Sequence, residues 1–393
     1  MSSLPLFRSR SLDRYDDVVV GAGIIGLAHA YHLARRGRRV VVVERSLHAH
    51  GASIRNFGML WPVGQPAGEM RNIALRSRAL WLDVLSKSGI WHDPCGSLHL
   101  AYDADEEAVL REFVAEARTS GIDCAFETAE QIAIRAPAVR QQGLRGAMWS
   151  ETEICVDPRE VVRSLPEWLH TTLDIDFIFG EPVTGYSSPI VQTSIRAIKT
   201  DRLWVCSGDE FQLLYPDAIQ QLGLTRCKLQ MMRTVPQKDG WRIGPMLAAG
   251  STLRHYKSFE NCPSLPLVKE RFAREYPLFD AYGIHVMTAQ NGSGEVVIGD
   301  SHEYGTHISP FDSELIDGLI LEYLATFVDI RAPKIAQRWH GVYAKHPDKP
   351  YVFVHPEPDV TVITGVGGAG MTLSFGLAEK IVSNVLDVEQ DSA

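Results

Sequence analysis

The stretch DDVVVGAGIIGLAHAYHLARRGRRVVVVER, residues 16–45, decides the fold. Val18, Val19 and Val20 are consecutive and β-branched, the composition of a parallel strand buried on both faces. Gly21-x-Gly23-x-x-Gly26 comes next, and Ala28, Ala30, Leu33 and Ala34 carry on as a helix-forming run. Gly37 stands where a helix stops in a left-handed cap. Val40–Val43 then form a second buried strand ending at Glu44. Strand, glycine turn, helix and strand in this order predict a βαβ unit of Rossmann type, within an α/β fold.

Each part has a task in holding a dinucleotide. Gly21 permits the tight turn, Gly23 lets a pyrophosphate approach the backbone, and Gly26 lets helix and strand pack closely. Ile24 and Ile25 open the helix, whose N-terminus offers N–H groups and a partial positive charge to phosphates. Glu44 is placed to accept from ribose hydroxyls, and its charge disfavours the 2′-phosphate of NADP. The fingerprint alone leaves FAD and NAD open. The residues beyond the second strand favour FAD: after Arg45 comes a Gly/Ser/Asn-rich segment holding Ala52, Ser53, Asn56, Phe57, Gly58 and Met59. Such a segment suits a loop lying along an extended ligand.

The far end of the chain repeats the pattern. Val360–Thr364 reads as a strand, Gly367, Gly368, Ala369, Gly370, Met371 and Thr372 as a glycine-rich turn, and Leu373–Ile381 as a helix. A flavoprotein needs two such turns, one for pyrophosphate and one aiming a helix N-terminus at the pyrimidine side of the ring. Reduction leaves negative charge there, and a helix N-terminus stabilises nearby anions by up to about 2 kcal/mol. For a two-electron couple that is roughly 40 mV.

The 393 residues make two domains the natural expectation. Hydrophobic content of 45% and charged content of 22% are those of a globular chain, which excludes disordered and fibrous classes. A net charge of −9 argues against a nucleic-acid groove or a polybasic membrane surface. No apolar run approaches a bilayer span, and residues 1–14 read as a polar leader rather than a signal peptide. The six cysteines are scattered without C-x-x-C or metal-ligand spacing, as in a reducing cytoplasm, so no metal site is expected. Helices are expected at 67–90, 103–120, 128–134 and 310–328, and behind an Asp157-Pro158 cap. Residues 217–335 read as alternating strands.

Taken together, these segments resemble the FAD-dependent amine oxidases of the D-amino-acid oxidase, glycine oxidase and sarcosine oxidase superfamily, most strongly at 16–61 and 336–382. The resemblance implies a discontinuous Rossmann-type FAD-binding domain (1–95, 141–216 and 336–393). It also implies an α+β substrate domain on an antiparallel sheet (96–140 and 217–335). Members oxidise a carbon–nitrogen bond, pass a hydride to FAD and return the electrons to oxygen as hydrogen peroxide. Val183 is similar to the family's adenine-side strand, and Ser207-Gly208 to its small-residue turn near the pyrophosphate. Gly341 stands where sarcosine oxidases carry the cysteine that bonds the flavin, so FAD is expected to be non-covalent. Tyr343 stands at the arginine that clamps α-carboxylates, and Thr372 at the lysine of the sarcosine-type enzymes. Both carboxylate anchors are thus absent.

The segments Lys228–Thr234, Leu253–Tyr256 and Gly299–Gly305 resemble a branch of the superfamily linked to phosphonate breakdown. That resemblance implies oxidation of an aminophosphonate related to 2-aminoethylphosphonate, including N-alkylated forms, to an aldehyde and ammonia or an amine. Arg254, Arg233, Tyr256, Tyr304 and Trp61 are the candidate substrate contacts. His255, His302 and Tyr343 are the candidate catalytic groups, with either histidine able to accept the amine's proton near neutrality. The alternatives are a glycine, sarcosine or D-amino-acid oxidase, a dehydrogenase passing electrons to a carrier, and a flavin scaffold without turnover. An NAD(P)H-dependent hydroxylase is also open, since Gly299-Asp300 is faintly similar to that class's second nucleotide motif. A monomer and a homodimer are equally compatible with the sequence.

Overall fold

The computed structural model describes residues 14–117 and 122–390. The leader read at 1–14 lies outside these except for Arg14, which pairs with Asp201 at 2.7 Å.

Strand β1 (Tyr15–Val20), helix α1 (Ile24–Arg35) and strand β2 (Val40–Glu44) agree closely with the sequence reading. β1 lies parallel between β2 and Ala197–Val205, with Val18 opposite Val41 on one side and Leu203 on the other. Asp176–Phe179 extends the sheet beyond β2, and Val360–Thr364 extends it beyond Ala197–Val205, both in parallel. Antiparallel strands Val183–Ser187, Ile190–Thr193 and Val352–Val354 complete eight strands. The period of two divides the valines between two cores. Val19, Val40 and Val42 pack with α1, Trp81 and Phe375 under the helices, while Val18, Val41 and Val43 pack with Leu203 and Val205 on the opposite face. Each buried valine is worth about 1.5–3 kcal/mol of transfer free energy.

A second sheet has nine strands, built around Thr225–Thr234 and Ile335–Lys345, which run antiparallel for their whole length. One pair, Met246–Ala248 with Ser97–Ala101, is parallel in this otherwise antiparallel sheet. Gly146–Ser150 and residues 336–345 of Ile335–Lys345, which the cuts at 141 and 336 put on the nucleotide side, pair into the nine-stranded sheet. Cross-strand pairing fixes that membership, and nothing in the local sequence marks it. The expected alternation also fails in Thr225–Thr234: residues 227–232 are all buried. Met232 packs into the large core while Met231 joins Cys227, Leu229 and Tyr343 on the other face, so both faces are covered.

The expected helices occur at Glu69–Ser88, Ala104–Ala117, Ala129–Arg135 and Glu314–Phe327. Asp157 caps Pro158–Leu173 by accepting from the Arg159 N–H at 3.0 Å. The helices at Leu265–Glu275 and Pro277–Ala281 were read as strand territory, although Leu265, Val268 and Phe272 keep the i, i+3, i+7 spacing of a buried helix face. No helix among the described residues is long and apolar enough to cross a membrane.

Candidate active site

A cavity of about 1000 Å³ lies between the two sheets. It is large for a ligand pocket, which usually spans about 300–1,000 Å³. One end is built by β1, α1 and β2. Gly21 has φ +99, and a Cβ there would stand 2.7 Å from the Cys206 carbonyl oxygen. Gly23 caps α1 with no side chain of its own, and the Ser53 hydroxyl accepts from the Ile24 N–H at 3.0 Å. Gly26 does not line the cavity. A Cβ there would meet the Gly21 oxygen at 2.0 Å, which is the close helix–strand packing expected of it. Glu44 is buried at the end of β2 and accepts from the N–H groups of Ala22 at 2.9 Å and Ser46 at 3.0 Å. A carboxylate has about four lone-pair sites, so ribose hydroxyls still find acceptors.

Ile25, Arg45, Ala52, Phe57, Met59, Val183, Ser207 and Gly208 line the same cavity. Arg45 is held by Glu210 at 2.9 Å. Asn56 also lines it, but both functions of its side chain serve the loop: Nδ2 donates to the Ala52 and Ser53 carbonyls, and Oδ1 accepts from the Gly58 N–H. Gly58, expected at the cofactor, lies off the cavity. Its φ is +76 and a Cβ would strike the Val156 oxygen at 2.0 Å, so its task is the turn.

Across the cavity, Val360–Thr364 leads through the 3₁₀ turn Gly367–Ala369 into the helix Gly370–Gln390, whose N-terminus faces inward with Met371 and Thr372. Thr372 accepts from the Trp61 N–H at 2.9 Å. Gly341 also lines the cavity, pressed upon by the Arg55 backbone, whose oxygen a Cβ would approach to 3.0 Å. Two glycine-hinged helix N-termini therefore address one elongated cavity, and bare backbone forms its phosphate end. This is a cradle that fits FAD.

The remaining wall comes from the nine-stranded sheet and the segment around Arg254–Lys257. Trp61, Arg254, His255, Tyr256, His302, Tyr304 and Tyr343 all line the cavity. Arg233 does not: it is engaged by Gln337 and by Glu295 at 3.5 Å, and lies over Trp339. Its place on Thr225–Thr234 points it to the wrong end of that strand, so it is withdrawn as a substrate contact. Arg254 is held by Asp280 and by the Ile284 carbonyl at 3.2 Å, and lies over Phe272.

Three groups escaped the sequence reading. His285 and Asp300 line the cavity, both buried, with Nε2 of the histidine 3.0 Å from Oδ1 of the carboxylate. Lys345, at the end of Ile335–Lys345, donates to the Tyr304 hydroxyl at 3.0 Å and has no carboxylate partner among the described residues. The signal for Asp300 was present in Gly299-Asp300-Ser-His302, but Val296–Gly299 is a strand of the nine-stranded sheet rather than part of the nucleotide-binding one.

Burial governs the titration of this wall. It pushes His302 down to about 4 against the help of the Gly283 carbonyl. Burial, then His255 and His302, hold His285 well below its ordinary value, and burial holds Asp300 well above. His255 is the exposed member of the three histidines, opening on the cavity. The protein packed around it and then His302 lower its pKa. Burial, then Cys227 and Tyr304, raise Tyr343, which stays a neutral phenol. Burial lowers Lys345, with Lys257 adding to it.

A family profile described as DAO, FAD dependent oxidoreductase, matches residues 16–383. The chain belongs to this family. This FAD-dependent oxidoreductase is 24% identical over 391 residues to a glycine oxidase of Bacillus licheniformis, covering 95% of this chain and 93% of that protein. It is also 24% identical over 399 residues to the bifunctional protein ThiO/ThiG of a Nostoc species, where the match covers 96% of this chain. The chain spans about half of that relative's length, 53%. Its fold superposes on a glycine oxidase structure from Geobacillus kaustophilus with a TM-score of 0.75 at 20% identity, covering 96% of this chain and 95% of that one. An L-proline dehydrogenase structure from P. horikoshii gives 0.73 at 20%, covering 96% and 94%.

Proposed function

We propose that this oxidoreductase acts on a small amine and that its preferred substrates are aminophosphonates, primary or N-alkylated. Relatives named as glycine oxidase, L-amino acid deaminase and iminodiacetate oxidase support an amino compound as substrate. The observation that carries the phosphonate is Lys345. Its ammonium, without a carboxylate partner among the described residues, stands with Tyr304, His255 and Arg254 on one wall. A phosphonate is a tetrahedral anion that takes several charge-assisted donors better than one clamp. The family's carboxylate anchors have no counterpart: Tyr343 is a neutral phenol, and the Thr372 hydroxyl is engaged by Trp61.

Bound FAD, held without a covalent link, supplies the hydride acceptor. The chain's own residues orient the amine over it, keep bulk water out and hold the anionic end. An alkylammonium has a pKa near about 10, so a proton must leave before the α-hydrogen can. The product imine hydrolyses to an aldehyde and ammonia or an amine. We assign Thr225–Thr234, Ile335–Lys345 and the strands paired with them to the substrate domain.

A peroxide-coupled assay with 2-aminoethylphosphonate, its N-methyl derivative, glycine, sarcosine and D-alanine tests the reading. The phosphonates are expected to turn over fastest. Activity confined to the carboxylates overturns the phosphonate assignment. Fast dye reduction with little peroxide would instead make the enzyme a dehydrogenase.

A further inference from the structure

Resting on the aminophosphonate reading, we infer that Lys257 joins Lys345 in a paired-ammonium site that selects a dianionic phosphonate over singly charged carboxylates and sulfonates. Lys257 ends the wall segment that begins at Arg254, and Lys345 ends the strand Ile335–Lys345; both line the one cavity. Burial is the larger cause of the lowered Lys345 pKa, and the charge of Lys257 adds to it, so the two ammoniums stand within reach of one another. The other cations on the cavity are placed differently. Arg45 is held by Glu210 at 2.9 Å and Arg254 by Asp280, and neither Arg55 nor Lys349 acts on Lys345.

No carboxylate is among the groups whose charge acts on Lys345. Besides Lys257 there is Cys227, a thiol that burial raises to about 12 and so leaves uncharged. His255 and His302 are lowered by burial, and the charge of Lys345 adds to that, so both stay neutral. The Tyr304 hydroxyl accepts from Lys345 at 3.0 Å and keeps its own proton to donate.

Two like charges on one cavity repel, and an anion between them relieves the repulsion. A monoanion offsets one ammonium and leaves the other uncompensated, whereas a dianion offsets both. A phosphoryl group loses its second proton at about 6, so a phosphonate is a dianion at mildly alkaline pH. A sulfonate has the same tetrahedral shape and stays a monoanion. Lysines are point charges on flexible stems, without the planar fork that matches a carboxylate. The pair therefore reads charge rather than outline.

Lys257 is exposed, and the competing uses for it are a solvated side chain or a partner for Glu116 or Glu260. Both glutamates line a smaller chamber of about 120 Å³ that Lys257 also lines. No ion pair joins Lys257 to either among the described residues. Its backbone opens the 3₁₀ turn Lys257–Phe259, which the buried Phe259 pins in place.

The test is anion binding to the oxidised, FAD-loaded enzyme at pH 8.5, read by perturbation of the flavin spectrum and by calorimetry. Methylphosphonate and methanesulfonate serve as probes, since neither carries an amine. Wild type is expected to bind methylphosphonate at least about 10-fold more tightly than methanesulfonate. Lys257→Gln should weaken methylphosphonate about 10-fold and methanesulfonate less than about 3-fold, with flavin content unchanged, and Lys257→Arg should keep the preference. In turnover, the same loss should appear in KM for 2-aminoethylphosphonate and not in KM for 2-aminoethanesulfonate. Equal affinity of wild type for the two probes, no binding of methylphosphonate, or an equal loss for both in Lys257→Gln overturns the inference. A preference that survives Lys257→Gln and vanishes in Lys345→Met assigns the anion to Lys345 alone and overturns the pair. A phosphonate preference that follows Lys257 in an enzyme silent to every amine ends the oxidase reading and leaves the anion site. Flavin bleaching by aminophosphonates without that preference ends this inference alone.

Discussion

At the residue scale, the proposed preference for aminophosphonates rests on Lys345. Its ammonium is half-desolvated and its contacts are the hydroxyl and ring of Tyr304. A hydrogen bond to a charged partner contributes about 1.5–3 kcal/mol. Lys345→Met should therefore raise KM for aminophosphonates by about 10- to 100-fold and leave bound flavin unchanged. Steady-state kinetics on the yellow protein read this directly. A KM that rises equally for an uncharged amine would mean Lys345 shapes the cavity rather than binding the anion. The lysine had no legible signal, since it lies in a plain strand sequence of a chain with 39 lysines and arginines. Only its position opposite Thr225 and beside Tyr304 brings it to the site.

At the scale of elements, the βαβ unit stands or falls on how closely α1 approaches β1. A methyl at Gly26 would sit 2.0 Å from the Gly21 oxygen, a backbone atom that cannot move aside cheaply. Overpacking of this kind costs about 1–3 kcal/mol, and here it would shift the turn that cradles pyrophosphate. Gly26→Ala should lower both Tm and the flavin-to-protein absorbance ratio of the purified protein. A variant with wild-type values for both would show that α1 can slide without disturbing the cradle. The elements legible in sequence were those with strong local rules: the valine runs, the glycine turns, and Asp157 with Pro158 at a helix start. Strands buried on both faces, such as Thr225–Thr234, lost the alternation that would have marked them.

At the scale of the whole molecule, buried neutral histidines link folding to pH. Burial lowers His29 and His32 to about 4 in the nucleotide-binding half, and His99 to about 3 beside Trp61. The unfolded chain takes these protons near 6.5 while the native state refuses them. The stability each contributes is therefore present above pH 6.5 and is lost as pH falls toward the native value. Raised carboxyls such as Glu153 act in the opposite sense, so a difference measurement isolates one group. His99 has both ring nitrogens buried without hydrogen-bond partners among the described residues. In a His99→Leu chain, the loss of stability between pH 6.5 and pH 4 should be shallower, by up to about 1.4 kcal/mol per pH unit. Urea unfolding at several pH values measures this, and identical slopes would refute it.

The cofactor was readable from sequence because its cradle is local. A turn, a helix start and a carboxylate at fixed spacing act within one βαβ unit, and backbone geometry enforces that spacing wherever the motif occurs. The wall across the cavity was decided by pairing between distant strands. His285 and Asp300 come together because the chain doubles back between Met287–Gln290 and Val296–Gly299, and Arg233 turns away because of where its strand ends. Burial then sets the protonation of each group, and burial is a property of the packed molecule that no stretch of residues carries alone.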